Sequence, residues 1–271
     1  MRDTRDMLLV LLSSLLMLTG CSRRDILDDY PVSGVEISLD WNGVTNKLPE
    51  GVRVIFYPKN AEGRKIDTYL SVKGGKVKVP PGRYSVVVYN YDTETVQIRG
   101  EEAYETIEAF TGHCNGLGIA GTEQLVWGPD LLYVVRIDDL KIENSEEELQ
   151  LNWKPKLVVK TYSFKLKVQG LEYVSSIVGS IEGMSSCYDL GLGCGKAGDS
   201  PIYFAARGSA GEVTGSFTVF GTSEGVISRA GNAIKLTLAF VKTDNKVQKM
   251  EVDITEVIAN SESGGSGGDD D

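Results

Sequence analysis

Along most of the chain apolar and polar positions alternate with a period of two, the spacing of half-buried strands rather than of helices. From Gly34 onward, Val35, Ile37, Leu39 and Trp41 fall on one face, and Glu36, Ser38 and Asp40 fall on the other. Val52 to Tyr57 predicts a second strand, stopped by Pro58 and the polar stretch from Lys59 to Lys65. Tyr69 to Val72 and Lys76 to Val79 flank Gly74-Gly75. Glycine tolerates the positive φ of a tight turn, so a β-hairpin centred there is expected. After Pro80-Pro81-Gly82, the run Arg83 to Tyr89 is dense in β-branched and aromatic residues and predicts a central strand. Gln97 to Arg99 and Thr106 to Thr111 predict further strands. Leu125 to Val135, around Pro129-Asp130, fits either a helical turn capped by Asp130 or a strand from Leu131 to Ile137.

Lys141 to Gln150 carries Glu143, Glu146, Glu147 and Glu148 with too few apolar residues for a core, so a solvated connector is expected there. Beyond it the alternation resumes. Val158, Tyr162, Phe164, Leu166 and Val168 share a face against Thr161, Ser163, Lys165 and Lys167. Tyr203 to Ala206 and Ser216 to Phe220 predict strands between glycine-rich turns. Ile234 to Phe240 and Met250 to Ile254 predict a hairpin about Asp244-Asn245-Lys246. The fold class is therefore all-β, read as two antiparallel β-sandwiches in tandem, with a single elongated β-domain as the alternative. The expected boundaries are a leader over 1–20, a tether over 21–33, sandwiches over 34–150 and 151–259, and a disordered Gly/Ser/Asp tail over 260–271.

The N-terminus breaks the alternation. Arg2 and Arg5 precede an apolar run from Met7 to Leu18, interrupted only by Ser13 and Ser14, which is too short to span a bilayer comfortably and reads as a secretory signal. It ends in Leu18-Thr19-Gly20-Cys21, which resembles the bacterial lipobox. That resemblance implies recognition of Leu18, Thr19 and Gly20 by signal peptidase II, cleavage before Cys21, and acyl chains on the Cys21 thiol. Each buried acyl methylene contributes about 0.8 kcal/mol, and one chain alone holds a protein only marginally, so several chains make a stable anchor. The expected partner is thus a membrane, reached through lipid, and the expected location is the outer membrane.

Composition narrows the chemistry. The formal net charge of -10 argues against nucleic acid, whose phosphates need clustered Lys and Arg. With Cys21 assigned to lipid, Cys114, Cys187 and Cys194 remain. An exported compartment permits disulfides, and Cys187 and Cys194 frame a glycine-rich loop short enough to close. A Cys187–Cys194 bridge is expected, with two free thiols as the alternative. Gly116 to Gly121 satisfies G-x-G-x-x-G without the strand and helix that a dinucleotide requires. Gly221 to Gly225 satisfies G-x-S-x-G without a downstream histidine, because His113 lies upstream. No local spacing of ligands suits zinc or calcium, so no metal, no cofactor and no catalytic residue is expected. Tyr84, Tyr89 and Tyr91 are candidates for a sugar-stacking platform.

Several segments together resemble the Bacteroidetes fimbrial-anchor and fimbrillin-like lipoproteins of the type V pilus class. These are the lipobox, Leu48 to Tyr57, Val79 to Tyr84 leading into Val88-Tyr89-Asn90-Tyr91, Lys165 to Leu171 with Ser176 to Gly183, and Thr214 to Gly221. The resemblance spans nearly the whole mature chain. It implies two transthyretin-like sandwiches and a role as anchor, minor component or adhesin of a fimbria, with other subunits joined by β-strand addition. It supplies no catalytic residues. No arginine marks the cleavage that releases an N-terminal strand in polymerising subunits, so an uncleaved anchor is implied. Ser22-Arg23-Arg24 precede Asp28-Asp29, whereas surface-exported relatives carry acidic residues directly after the cysteine, so the membrane face stays open. A glycan- or matrix-binding surface lipoprotein is the alternative function, and a hydrolase with unpaired acids a third.

Overall fold

The structure is a computed structural model that describes residues 33–60, 63–114, 124–145, 147–197, 200–221 and 233–263. The leader, the lipobox, the tether as far as residue 32, the G-x-G-x-x-G stretch, most of the G-x-S-x-G stretch and the end of the tail lie outside the described residues. Among the described residues no helix is long and apolar enough to cross a membrane.

Among the described residues, nineteen strands, β1 (Ser33–Leu39) to β19 (Val247–Asp253), form three sheets, followed by one α-helix, α1 (Thr255–Ser263). The first sheet has the order β10-β1-β4-β3-β2-β5-β9-β11, with β2 at Gly51–Pro58, β3 at Ile66–Ser71, β4 at Gly74–Val79, β5 at Gly82–Asn90, β9 at Tyr133–Ile142, β10 at Leu149–Trp153 and β11 at Lys156–Leu157. β3 and β4 share only the pair Ser71↔Gly74, so the sheet folds over at that point. One wall then carries Val35, Ile37, Val77 and Trp153, and the other carries Val52, Val54, Phe56, Val86 and Val88; together they enclose one core. β5 is buried along nearly its whole length, as its composition predicts for a central strand. The hairpin turn sits at Val72-Lys73, two residues before the expected Gly74-Gly75. Gly74 is needed there for a different reason. It has φ +102°, and a Cβ would lie 2.0 Å from the Ile37 carbonyl of β1.

The second sheet, β15-β14-β7-β6, covers the other face of β2, β5 and β9. It joins β6 (Val96–Arg99) and β7 (Glu108–Thr111) to β14 (Ser185–Asp189) and β15 (Cys194–Ala197), through the register Cys187↔Phe110, Tyr188↔Ala109 and Asp189↔Glu108. Ile55, Tyr57, Val87 and Tyr89 pack there against Ile107, Tyr188, Leu190 and Phe220. The third sheet has the order β12-β17-β16-β13-β18-β19, with β12 at Val159–Lys167, β13 at Val174–Glu182, β16 at Ile202–Ser209, β17 at Glu212–Phe220 and β18 at Lys235–Lys242. With β8 (Val126–Trp127) added beside β16, it encloses a third core around Ile181, Phe204, Phe217 and Leu238. Tyr162, Phe164, Leu166 and Val168 pack against it, the face that their alternation predicts.

These pairings correct three expectations. The cut between 150 and 151 runs through β10, which pairs in parallel with β1, so the acidic connector is a strand at both ends. β14 and β15, from the expected second domain, complete a sheet of the first. Residues 260–263, expected to be disordered, continue α1, whose first turn is held by Thr255 N–H donating to Asp253 Oδ1 at 2.9 Å and by Ile258 packed in the third core.

The Cys187–Cys194 bridge is also absent, and both are free thiols. The register sets Cys187 opposite Lys196 and Cys194 opposite Asp189, which makes the cysteines diagonal neighbours. Diagonal pairs on a sheet are about 7–8 Å apart, beyond the span of an unstrained disulfide. Ion pairs hold the hairpin instead. Lys196 Nζ reaches Asp189 at 2.8 Å and Glu108 at 3.1 Å, and Arg99 also engages Glu108. The Asp189 side chain is 2% exposed, and its second oxygen accepts the Leu192 N–H at 2.8 Å, so the buried carboxylate is satisfied.

Candidate functional site

Sandwich folds leave edges, and an unpaired edge is a template for another strand. β9 is covered on its outer side only where β11 pairs with it, through Lys156↔Val134 and Leu157↔Tyr133. Among the described residues, Val135 to Ile142 pair with β5 alone, and β10 pairs with β1 alone. These two open edges belong to opposite walls of the first sandwich. Between them lies a groove of about 830 Å³, walled by Tyr133 to Ile137 on one side, Asn152 to Lys156 on the other, and the loop Asn42 to Asn46 at its mouth.

Local chemistry fixes each wall. Asp40 N–H donates to the Trp153 carbonyl at 2.8 Å, and Asn42 N–H donates to Asp40 Oδ1 at 2.9 Å, setting the loop over β10. Trp41 stacks edge-on against Tyr133 with centroids 5.3 Å apart, while its Nε1 donates to the Val72 carbonyl at 2.6 Å. Buried Asn90 accepts the Tyr133 N–H at 2.7 Å, which fixes the start of β9. Pro155 offers no N–H where the chain crosses from β10 to β11, so it ends the pairing there. Arg136 donates to Asp138, to the Tyr104 hydroxyl at 3.1 Å and to the Leu192 carbonyl at 3.0 Å, tying β9 to the β14–β15 turn. Gly193 in that turn has φ +73°, and a Cβ would lie 2.9 Å from Arg136 Nη1. The Arg136 guanidinium holds the Asp138 carboxyl below its usual range, and burial pushes the Tyr104 phenol up to about 12.

A family model described as a domain of unknown function, DUF5119, matches residues 20–205. The chain is also 62% identical, over 281 aligned positions that cover 99% of it and 84% of the relative, to a Bacteroides ovatus protein named "Putative fimbrium anchoring subunit Fim4B". The chain belongs to this family. The crystal structure of a Bacteroides ovatus "putative adhesin", 60% identical over 89% of each chain, superposes on this DUF5119 member with a TM-score of 0.80. The Porphyromonas gingivalis fimbrial anchor protein Mfa2, 11% identical over 84% of this chain and 83% of its own, shares the fold at a TM-score of 0.54.

The other sequence-predicted site residues separate in this DUF5119 structure. Of the expected tyrosine platform, Tyr84 and Tyr89 are core: Tyr84 packs edge-on against Phe56 and donates to the Pro80 carbonyl at 2.9 Å. Tyr91 alone is exposed, and its partner is Tyr69, read from the sequence only as a hairpin residue. The alternation places Tyr69 on the outward side of β3, and that was the available signal. Beside the pair, Arg53 donates to both oxygens of Asp67, at 2.9 and 2.7 Å, to both oxygens of Glu101, and to the Tyr89 hydroxyl at 2.8 Å. Burial raises the Tyr89 phenol, and the Arg53 hydrogen bonds lower the Asp67 carboxyl.

Because the folded Asp67 is depressed below its unfolded value, near 3.9 for aspartate, it contributes stability above that pH and loses it as pH falls through the folded value. In urea titrations below about pH 4, Asp67→Asn is expected to flatten the acid-side fall in unfolding midpoint seen in the parent. Equal acid slopes in the two proteins overturn that expectation. Cys114 is half-buried after β7, and burial pushes its thiol up to about 11. The described residues contain no group of three or more metal-ligating side chains.

Proposed function

We propose that this protein is a non-enzymatic anchor of a fimbria-like assembly, envelope-associated, held at the outer membrane by acyl chains on Cys21, with a strand of a neighbouring fimbrial subunit seated in the groove between β9 and β10. The observation that carries the reading is the pair of open edges facing one groove, in a chain 62% identical to a protein named as a fimbrium anchoring subunit. β9 and β10 run in opposite directions, since the chain turns back between Ile142 and Leu149. A strand lying between them pairs antiparallel with one and parallel with the other, and its backbone satisfies donors and acceptors that water satisfies in the free protein. Apolar side chains on its inner face reach Val135, Ile137, Leu151 and Trp153 at the rim of the core. By contrast the third sheet's edge at β19 is exposed almost throughout and carries Lys249, Glu251 and Asp253, charges that guard an edge against pairing. The anchoring half of the reading rests on the lipobox.

Detergent extraction of the full-length protein from native membranes, affinity capture and mass spectrometry test the reading. Fimbrial subunits are expected with the parent protein and are expected to be lost with Thr45→Trp, which places an indole in the groove mouth. Capture without any fimbrial subunit overturns the anchor role. Undiminished capture by Thr45→Trp moves the contact away from this groove.

A further inference from the structure

The pair Tyr69 and Tyr91 lies on a different part of the first sheet and serves neither a core nor the groove. Tyr69 is 60% exposed and Tyr91 45% exposed, with ring centroids 5.3 Å apart and planes at 79°, so the rings form an open corner. Two rings of this size in solvent form an apolar patch, and each is held in place by the backbone beneath. Tyr69 stands opposite Arg53 in the register of β2 and β3, and Arg53 stands opposite Tyr89 on β5, so the guanidinium is sandwiched, 5.7 Å from one ring centroid and 5.9 Å from the other. Tyr91 folds across Gly51: a Cβ there would lie 2.7 Å from the Tyr91 hydroxyl, so only glycine lets the ring lie down on β2. The corner opens onto a cup of about 210 Å³ that also reaches Tyr89, Asn90, Thr93 and Glu101.

We propose that this cup binds a neutral saccharide ring, stacked on Tyr69 and Tyr91 and hydrogen-bonded to the Glu101 carboxylate. The charge around the cup decides the ligand class. Arg53 and Lys65 are matched by Asp67 and Glu101, with Lys65 Nζ donating to the Glu101 carbonyl at 3.0 Å and standing 4.0 Å from Asp67. Every nitrogen of the Arg53 guanidinium already donates to Asp67, Glu101 or Tyr89, leaving no free cation for a phosphate or a uronate. An ionised carboxylate oxygen has room for more than one hydrogen bond, so Glu101 still accepts from hydroxyl donors. A pyranose supplies both halves of the match: an apolar C–H face for the rings and a rim of hydroxyl donors for the carboxylate. A cup of this volume takes one ring of a longer chain, with the remaining rings in solvent. The inference is independent of the anchor reading, because it uses neither Cys21 nor the β9–β10 groove.

Isothermal titration and saturation-transfer NMR of the full chain with maltohexaose, cellohexaose, mannohexaose and xylohexaose test it, with polygalacturonate as the charged comparison and a proline-rich peptide as the protein-ligand comparison. At least one neutral oligosaccharide is expected to bind, with Tyr69→Ala and Tyr91→Ala each weakening it about tenfold. Tyr91→Phe is expected to keep the affinity, since it retains the ring. Lys76→Ala, on β4 in the other wall of the sandwich and paired with Glu148, is expected to leave it unchanged. The proposal is overturned if none of the four binds, if binding ignores both alanine variants while their melting curves match the parent, or if only the polyuronate or the peptide binds.

Discussion

Replacing Cys21 with alanine is expected to move the protein from the membrane pellet to the soluble fraction. The described body carries no helix that crosses a bilayer, so under the proposed anchoring the retention free energy resides in the acyl chains. At about 0.8 kcal/mol per buried methylene, several chains outweigh any single surface contact, and in the proposed anchoring their loss removes the main hold on the membrane. Ultracentrifugal fractionation, with the mass of the mature N-terminus read in parallel, checks the result. Undiminished retention of Cys21→Ala, or a parent protein that keeps residues 1–20 without added lipid mass, sinks the anchoring mechanism. The groove and the saccharide cup are untouched by either outcome.

The second large effect lies in the core. Phe220 is fully buried at the end of β17, a strand of the third sheet, yet its ring packs among Ile55, Tyr89, Ile107 and Leu190 beneath the first and second sheets. Its centroid stands 6.3 Å from that of Tyr188 on β14. Phe220→Ala leaves a cavity where three sheets meet and is expected to cost about 3–5 kcal/mol, the range for deleting a buried phenylalanine ring. The measurement is the urea midpoint at constant m-value. Val219, the preceding residue, faces the third core instead. Val219→Ala removes fewer atoms and is expected to cost less. A Phe220→Ala loss below about 1 kcal/mol contradicts the packing described here.

Strands marked by a regular alternation or by a dense β-branched and aromatic run were legible in the sequence. β1, β2, β5, β18 and β19 fall where Val35 to Trp41, Val52 to Tyr57, Arg83 to Tyr89 and the Ile234 to Ile254 hairpin place them. β10 was not legible, because it follows an acidic run and offers only Leu149, Leu151 and Trp153 to the core, and because parallel pairing with β1 spans more than a hundred residues. β13 (Val174–Glu182), rich in serine and glycine, hides its alternation, and β14–β15 are too short to show one. The lipobox resemblance rests on contiguous residues that lie outside the described structure. The groove was not legible, since it arises where two strands fail to meet. The tyrosine platform was half legible: exposure separates Tyr91 from Tyr84 and Tyr89 only once β5 is known to be central, and Tyr69 comes beside Tyr91 only through the pairing of β2 with both neighbours.

The hairpin at Ser185–Ala197 reaches back to β7 and so places a demand on biosynthesis. As the polypeptide leaves the ribosome or the translocon, the N-terminal sandwich stays unfinished, with the edge of β7 unpaired and the apolar surface that Tyr188 and Leu190 cover left open, until residues well past the middle have emerged. Fragments ending near 150 or 158 therefore arrive without the piece that seals them, and are expected to aggregate or be degraded rather than persist as a stable half.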